Sequence, residues 1–542
     1  MATSSVDGDG ASCLAGSALF RSSSSILGAD DSLQANVLVF MGRPEAYAPV
    51  AATVERIETH ASIVFLAGDH AYKIKRAVRY AFLDFSTLEK RREACLNELR
   101  VNRRTAPELY RDVVPVTLGE GGALSLGGEG QVVEWVLRMR RFDQDSLYDR
   151  MAEGGRLGLA AVPPLAAAIA CFHASADRML SPDRAVVLLE AVLRDNAATF
   201  AANSGDIPPQ AARDLAQASR QTLAALSPLL EARARGGYVR HCHGDLHLRN
   251  IVEIDGVPVL FDAIEFDDRL ATIDILYDLA FLLMDLGKRG LRAHANALLN
   301  AYLDAGRSTG NLVGLAALPL FLSIRAAIRA KVELLRASTA PRDLAASVRE
   351  GAREYFALAG TLLAPTAPRL IAIGGLSGSG KSAVARAVAP ALGNFPGAVH
   401  LRSDIERKRL FGMALQDRLP AVAYTAEASD RVYAICRKRA RMALEGGQSV
   451  ILDAVHARPA ERDAAAALAA ELGVPFIGLW LEAPPEILRK RVAGRIGDVS
   501  DATPEVVDAQ LGYAIGPLNF ERIDASLPID QVAALCRQRI GA

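Results

Sequence analysis

Two carboxylates and an amide are concentrated between His243 and Asp262, a stretch that reads HGDLHLRN, IVEIDGVPVL, FD. Asp245 and Asn250 open it, and Asp262 closes it after an apolar run. Such a set suits phosphoryl transfer. One carboxylate orients or deprotonates a hydroxyl, while an amide oxygen and a second carboxylate hold magnesium on a triphosphate. The Asp255-Gly256 turn folds Val257–Phe261 back on the preceding strand, so Asp262 returns beside Asn250. A second set runs from Gly375 through Gly378, Ser379, Gly380 and Lys381 to Ser382, forming GxxxxGKS between a short apolar strand (369–373) and an alanine-rich helix. Its glycines let backbone N–H groups face phosphates, and the helix N-terminus adds positive potential. Lys381 is placed to reach the β- and γ-phosphates and Ser382 to ligate magnesium.

HGDxxxxN followed by an apolar strand ending in aspartate resembles the catalytic and metal loops of protein-kinase-like enzymes, in the form of the aminoglycoside phosphotransferase and choline kinase branch. The resemblance implies that Asp245 is the catalytic base, Asn250 and Asp262 the magnesium ligands, and His243 a brace. His247 reads as a loop histidine satisfied by backbone. The elements that must position this set come earlier. Ile63–Ala67 and Ala71–Lys75 read as a hairpin that puts Lys73 and Lys75 on one face. In the resembling enzymes a lysine on this strand grips the α- and β-phosphates. Lys73 is favoured, because Lys75 leads into a basic, solvated-looking run. Glu98, on a helix expected over 87–105, pairs with that lysine or else with surface arginines. No GxGxxG precedes Ile63; Thr59 and Ser62 are the phosphate-loop candidates. Val132–Met139 reads as a strand leading to a hinge near Met139–Phe142, where backbone would meet adenine. Asp274 and Asp278 match loop-supporting acids, and His173 reads as a packing residue. Glu265-Phe266-Asp267-Asp268 reads as a substrate-attracting cluster or as a solvated loop.

The later half resembles P-loop kinases such as gluconate kinase, polynucleotide kinase and zeta toxin. By that resemblance Asp404, after an expected strand at Ala398–Leu401, meets the acceptor hydroxyl with Arg407 nearby; otherwise Ser403 or Asp404 only caps a helix. Asp453, ending the apolar strand Val450–Leu452, supports magnesium through water. Arg491 and Arg495 lie on one face of a basic helix (484–495), either as lid arginines that neutralise the transferring phosphoryl group or as a solvated face. The run Arg437-Lys438-Arg439-Ala440-Arg441 reads as a solvated helix face, with a polyanion contact as the alternative.

Bulk properties narrow the classes. A chain of 542 residues holds several domains, and 62 basic against 62 acidic side chains give a net charge of zero. That argues against bulk attraction to nucleic acid or to anionic membrane. Six cysteines, at 13, 95, 171, 242, 436 and 536, show neither zinc nor disulfide spacing and fit a reducing cytoplasm. The apolar runs at 157–172 and 312–324 are interrupted by prolines and read as buried helices, not membrane spans.

The expected organisation is a tail at 1–35, an aminoglycoside-phosphotransferase-like kinase domain at 36–363, a proline-containing linker at 364–368 and a P-loop kinase domain at 369–542. The pairing resembles bacterial proteins described as bifunctional aminoglycoside phosphotransferase/ATP-binding proteins. It implies a two-lobed α+β protein-kinase-like fold followed by an α/β P-loop domain with a parallel sheet. The implied activity is ATP- and magnesium-dependent transfer of a γ-phosphoryl group to a small-molecule hydroxyl at two sites. Two alternatives stand beside it. One domain could be a non-catalytic ATP-binding regulator, or the P-loop domain could act on nucleic-acid ends or nucleotide sugars.

Overall fold

Contacts sort the chain into two units, Met1–Asp285 with Phe321–Thr361, and Leu286–Leu320 with Leu362–Ala542. The computed structural model describes residues 29–59, 61–80, 83–179, 183–306, 308–364, 366–494 and 499–541. Most of the expected tail, residues 1–28, and the candidate Arg495 lie outside the described residues.

In the first unit a helix α1 (Ala29–Met41) precedes β1 (Val54–Glu58), β2 (Ser62–Ala67), β3 (His70–Lys75) and a short pair, β4 (Arg79–Tyr80) with β5 (Leu83–Asp84). Then come α2 (Leu88–Asn102), β6 (Tyr110–Leu118), β7 (Leu124–Leu126) and β8 (Gln131–Arg140). Six strands form one antiparallel sheet in the order β1-β2-β3-β8-β6-β7. The tail boundary expected at residue 35 is corrected, because residues 29–35 are helical. Val37 and Met41, one helical turn apart, bury against Ile63, Phe65, Ile74 and Val136 of the sheet. Gln34 on the same helix donates to the Lys75 carbonyl (3.0 Å) and accepts from Ala77 N–H (2.8 Å). Thr87 caps α2 by accepting from Lys90 N–H (3.3 Å).

Helices α3 (Tyr148–Glu153), α4 (Val162–Ser175), α5 (Asp183–Ala202) and α6 (Pro209–Arg235) follow, then β9 (Val239–His241), the hairpin β10 (Ile251–Ile254) and β11 (Val257–Leu260), α7 (Asp268–Ala271) and β12 (Thr272–Asp274). The chain continues through α8 (Ile275–Lys288), α9 (Arg292–Ala305), α10 (Gly310–Gly314), α11 (Leu318–Thr339) and α12 (Arg342–Leu363). The stretch Gly310–Ser338 is long and apolar enough to cross a membrane, but 83% of its apolar window is buried inside the protein. Core packing accounts for its composition. The contact boundary differs from the expected one: α9 and α10, placed by sequence in the first domain, group with the second unit.

That unit contains β13 (Leu370–Gly374), α13 (Lys381–Val388), β14 (Val399–Arg402), α14 (Ser403–Leu410), α15 (Ala426–Glu445), β15 (Val450–Asp453) and α16 (Pro459–Leu472). It ends with β16 (Phe476–Glu482), α17 (Pro485–Ala493), α18 (Pro504–Leu511), β17 (Glu521–Asp524) and α19 (Ile529–Ile540). Five parallel strands run in the order β14-β15-β13-β16-β17. The inner strands are apolar up to their C-terminal ends because helices cover both faces; Ile371, Ile373, Val384, Ile451 and Leu479 share one core. The first strand of this unit is central, so chain order reverses beside β13. In open α/β sheets ligands sit beyond the strand C-termini at such a point.

Candidate active sites

The loop at 243–250 is held from below by one carboxylate. Asp278, fully buried on α8, accepts from His243 N–H (3.1 Å) and Gly244 N–H (2.8 Å) and meets His173 Nε2 (3.1 Å). The expected support by Asp278 is therefore direct, and His173 belongs to it. Asp274 anchors the neighbouring strand through a bidentate pair with Arg233 (2.7 and 2.8 Å). His243 braces the loop onto the hairpin through Nε2 and the Phe261 carbonyl (2.9 Å). Gly244 has φ +82°, which strains any residue with a side chain, and a Cβ there would lie 2.8 Å from Ile264 Cδ1, which would have to shift.

Asp245 is 3% exposed, and its Oδ1 is buried with no hydrogen-bond partner among the described residues. Asn250 Nδ2 donates to Asp245 O (2.9 Å) and Oδ2 (3.1 Å), which fixes the carboxylate plane. His247 Nε2 lies 3.5 Å from Asp245 Oδ2, with its ring edge-on to Phe281. This corrects the reading of His247 as satisfied by backbone. Burial would push the Asp245 carboxyl up, but His247, His243 and Arg329 hold it below its ordinary range.

The hairpin delivers Asp262 as expected. β10 and β11 pair antiparallel around Asp255 (φ +53°) and Gly256 (φ +77°), and Phe261 N–H reaches the Asn250 carbonyl (3.0 Å). Asp262 itself sits at φ +59°. Its N–H donates to Tyr110 Oη (3.1 Å), and Ala263 N–H donates to Asn102 Oδ1 (2.8 Å). Asp262 Oδ1 pairs with Lys73 Nζ at 2.9 Å, and Lys73 pairs with Glu98 Oε1 at 2.8 Å. Lys75 corrects the sequence reading: its side chain is 2% exposed, not solvated, and bridges Glu98 Oε2 and Glu265 Oε1 at 2.5 Å each. The strand has both lysines facing inward, and the second needs acids from α2 and from the loop after β11 to offset its burial. Burial opposes ionisation of Glu98, yet Lys73 and Lys75 hold it down to about 2. The acidic cluster divides accordingly: Glu265 turns toward Lys75, Asp267 caps α7 and binds Arg269, and Asp268 stays in solvent. Thr59 and Ser62 bond to each other across the β1–β2 turn.

In the second unit the loop after β13 wraps a cavity of about 290 Å³ lined by residues 377–384 with Arg402, Asp404, Asp453 and Arg491. Gly375 (φ +135°) and Gly378 (φ +85°) are obligatory, since a Cβ would come within 2.4 Å of the Leu481 carbonyl and 2.5 Å of the Leu488 carbonyl. Gly380 has φ +91° at the N-terminus of α13. Lys381 Nζ donates to the Leu376 carbonyl of its own loop (2.9 Å). The β13–β15 register sets Asp453 opposite Ile373, and its Oδ2 accepts from Ser382 Oγ (2.6 Å). Burial would raise the Asp453 carboxyl, but His400, Lys381 and Arg402 hold it far below its usual range. Ser379 Oγ is buried without a partner among the described residues.

Asp404 lies on the cavity wall in the first turn of α14, whereas Arg407, one turn on, does not line it. Arg407 donates to the Ala423 carbonyl (2.5 Å) and packs over Tyr424, which ties α14 to the next segment. Arg491 reaches the cavity and donates to the Ala525 carbonyl (2.8 Å). Two of the four basic residues in the run on α15 are paired: Arg439 with Glu406 (3.0 Å) and Arg441 with Glu471. Sequence reasoning missed His400, whose Nε2 meets Asp453 Oδ2 at 3.0 Å. The signal was available, since alternation in Val399-His400-Leu401-Arg402 puts His400 on the face of Arg402.

Comparison with known proteins agrees with both halves. Residues 69–312 match the model of the Phosphotransferase enzyme family, and residues 370–517 match the AAA domain. An uncharacterised protein of Mycobacterium tuberculosis strain H37Rv is 30% identical over 482 residues, covering 87% of this chain and 92% of that protein. Among solved structures, a choline/ethanolamine kinase family protein from Mesorhizobium loti is 17% identical with a TM-score of 0.38, over 61% of this chain and 94% of its own. A gluconokinase from Sinorhizobium meliloti 1021 is 20% identical with a TM-score of 0.24, over 32% and 95%. The chain belongs to the family of its mycobacterial relative, and within it a Phosphotransferase enzyme family domain is joined to a P-loop AAA domain in one kinase.

Proposed function

We propose that both units bind magnesium-ATP and that each transfers its γ-phosphoryl group to a hydroxyl of a small molecule. The carrying observation is that one chemical kit is assembled twice. Each site offers a lysine suited to phosphates, a carboxylate suited to a metal, and a separate aspartate suited to the acceptor: Lys73, its partner Asp262, and Asp245, which Asn250 holds; then Lys381, Asp453 with Ser382, and Asp404. The residues fit the ligand. Asp245 Oδ1 lacks a partner among the described residues, as a hydroxyl acceptor requires, and in the P-loop Ser379 Oγ is likewise buried without one on the cavity wall. Magnesium, when bound, neutralises charge on the triphosphate.

Within the first site, Lys73 exchanges Asp262 for phosphate oxygens while Glu98 keeps it oriented. Asp245 then takes the hydroxyl proton at Oδ1. Within the second, backbone N–H groups and Lys381 cradle the phosphates, Arg491 adds positive charge beside them, and Asp404 orients the acceptor. The pairing of Arg439 and Arg441 favours a small acceptor over a nucleic-acid end. ATP chemistry and scattered cysteines fit action in the cytoplasm. The test is ADP release by the full chain with aminoglycosides, polyols, nucleotide sugars and 5′-hydroxyl oligonucleotides as acceptors. Asp245→Asn and Lys381→Ala should each remove a different part of the activity. A protein whose turnover survives both changes would refute the proposal.

A further inference from the structure

The acid that supports the metal in the second site is held by a residue that is held in turn by α9. β14 is the edge of the five-stranded sheet and pairs with β15 alone. An edge strand leaves N–H and C=O groups unpaired. Here α9 supplies the partners. Asn300 Oδ1 accepts from His400 N–H at 2.7 Å, while its Nδ2 donates to the Ala398 carbonyl at 3.2 Å. One carboxamide thus satisfies two backbone groups on the open side of the edge strand. Asn296, one turn earlier and buried, donates to the same carbonyl at 3.0 Å. With its backbone fixed on that side, His400 aims Nε2 at Asp453 Oδ2, the oxygen that also accepts from Ser382 Oγ. His400 is 7% exposed and Asp453 4%, so neither competes with bulk water. The C-terminal turn of α9 is tied to the element that carries Asp404: Asp304 pairs with Arg409 of α14 at 3.0 Å, and Arg409 pairs with Glu406.

We propose that His400 is a positioning residue for the magnesium-supporting carboxylate and that α9, through Asn300, is a working part of the P-loop site. This rests on the reading of that site as a magnesium–nucleotide site. A segment matched to the phosphotransferase family model as far as residue 312 is then required by the other domain, and a P-loop kinase cut at the linker lacks it.

The experiment uses the full chain with Lys73→Ala to silence the first site, and measures ATP affinity by calorimetry with and without magnesium. His400→Leu should cut the affinity gained from magnesium on the order of tenfold, as loss of an outer partner to a metal ligand does, while metal-free ATP affinity stays within about twofold. His400→Gln, which keeps an N–H donor, should restore part of that gain. Asn300→Ala, a milder change, should lower the gain less and speed hydrogen exchange of the β14 amides. If Asp453→Asn loses the magnesium gain and His400→Leu retains it, the positioning role is overturned and the nucleotide reading stands. If Lys381→Ala leaves ATP binding intact in this background, the nucleotide reading fails and the inference falls with it.

Discussion

The two candidate sites gather similar reactive groups with opposite materials. The first is built from side chains far apart in sequence. Lys73, Lys75, Glu98, Asp262 and Glu265 come from a strand, a helix and a loop, and they balance one another's charge in a buried lattice. The second is built mostly from the backbone of one short loop, with Asp453 beneath it and Asp404 on the wall. A charge lattice is vulnerable to losing one member, because the remainder is left buried and unpaired. A backbone cradle tolerates side-chain changes nearby but not an added Cβ. The contrast predicts which substitutions hurt which site.

The largest effect belongs to Asp245→Asn. Turnover at the first site should fall about 10²–10⁴-fold with ATP affinity retained, as expected for loss of a general base. Single-turnover ADP release in a Lys381→Ala background measures it, and a loss under about tenfold would remove Asp245 from that role. Glu98→Ala comes next. It takes one of two acids from both Lys73 and Lys75, which keep Asp262 and Glu265, and should cost about 1–3 kcal/mol in urea unfolding of the first unit, with the second site's ATP affinity unchanged. Because Glu98 ionises near 2 when folded and in the ordinary carboxylate range when unfolded, its contribution is present above that range. It is lost as pH falls from about 4.5 toward 2.

The second unit carries its own pH dependence. His456 is buried at φ +52°, and burial pushes its imidazole down to about 4. The unfolded chain therefore takes up a proton that the folded chain refuses. Stability should decline as pH drops from about 6.5 to 4, by up to about 3 kcal/mol. Asn tolerates the left-handed backbone, so His456→Asn should flatten thermal stability across that window; an unchanged slope would show that other groups cause it. A smaller and more local effect is expected of Gly378→Ala, about 1–3 kcal/mol of strain that appears as weaker ATP binding at the second site only. Arg441→Ala should change neither nucleotide affinity nor oligonucleotide binding, since its partner Glu471 is on the surface.

Much of this was legible in local pattern. The β2–β3 and β10–β11 hairpins, the P-loop and the strand leading to Asp453 follow from alternation, an Asp-Gly turn and a glycine-rich strand-to-helix motif. Lys75 was misread because a basic run in sequence says nothing about acids that arrive from elsewhere, here Glu98 and Glu265. Arg407 was carried onto the acceptor side by resemblance, but one helical turn rotates it from the Asp404 wall toward Ala423. His400 gave only the weak signal of a polar residue inside an apolar strand.

By itself the sequence determined which short segments fold on themselves and which reactive groups they carry, since turn residues, periodicity and capping act over a few neighbours. The tertiary structure alone decided which buried charges meet, that His400 addresses the Asp453 carboxylate, and that α9 belongs with the P-loop unit. Those pairings join residues dozens to hundreds of positions apart. Their energies depend on burial and close approach, which no local pattern encodes.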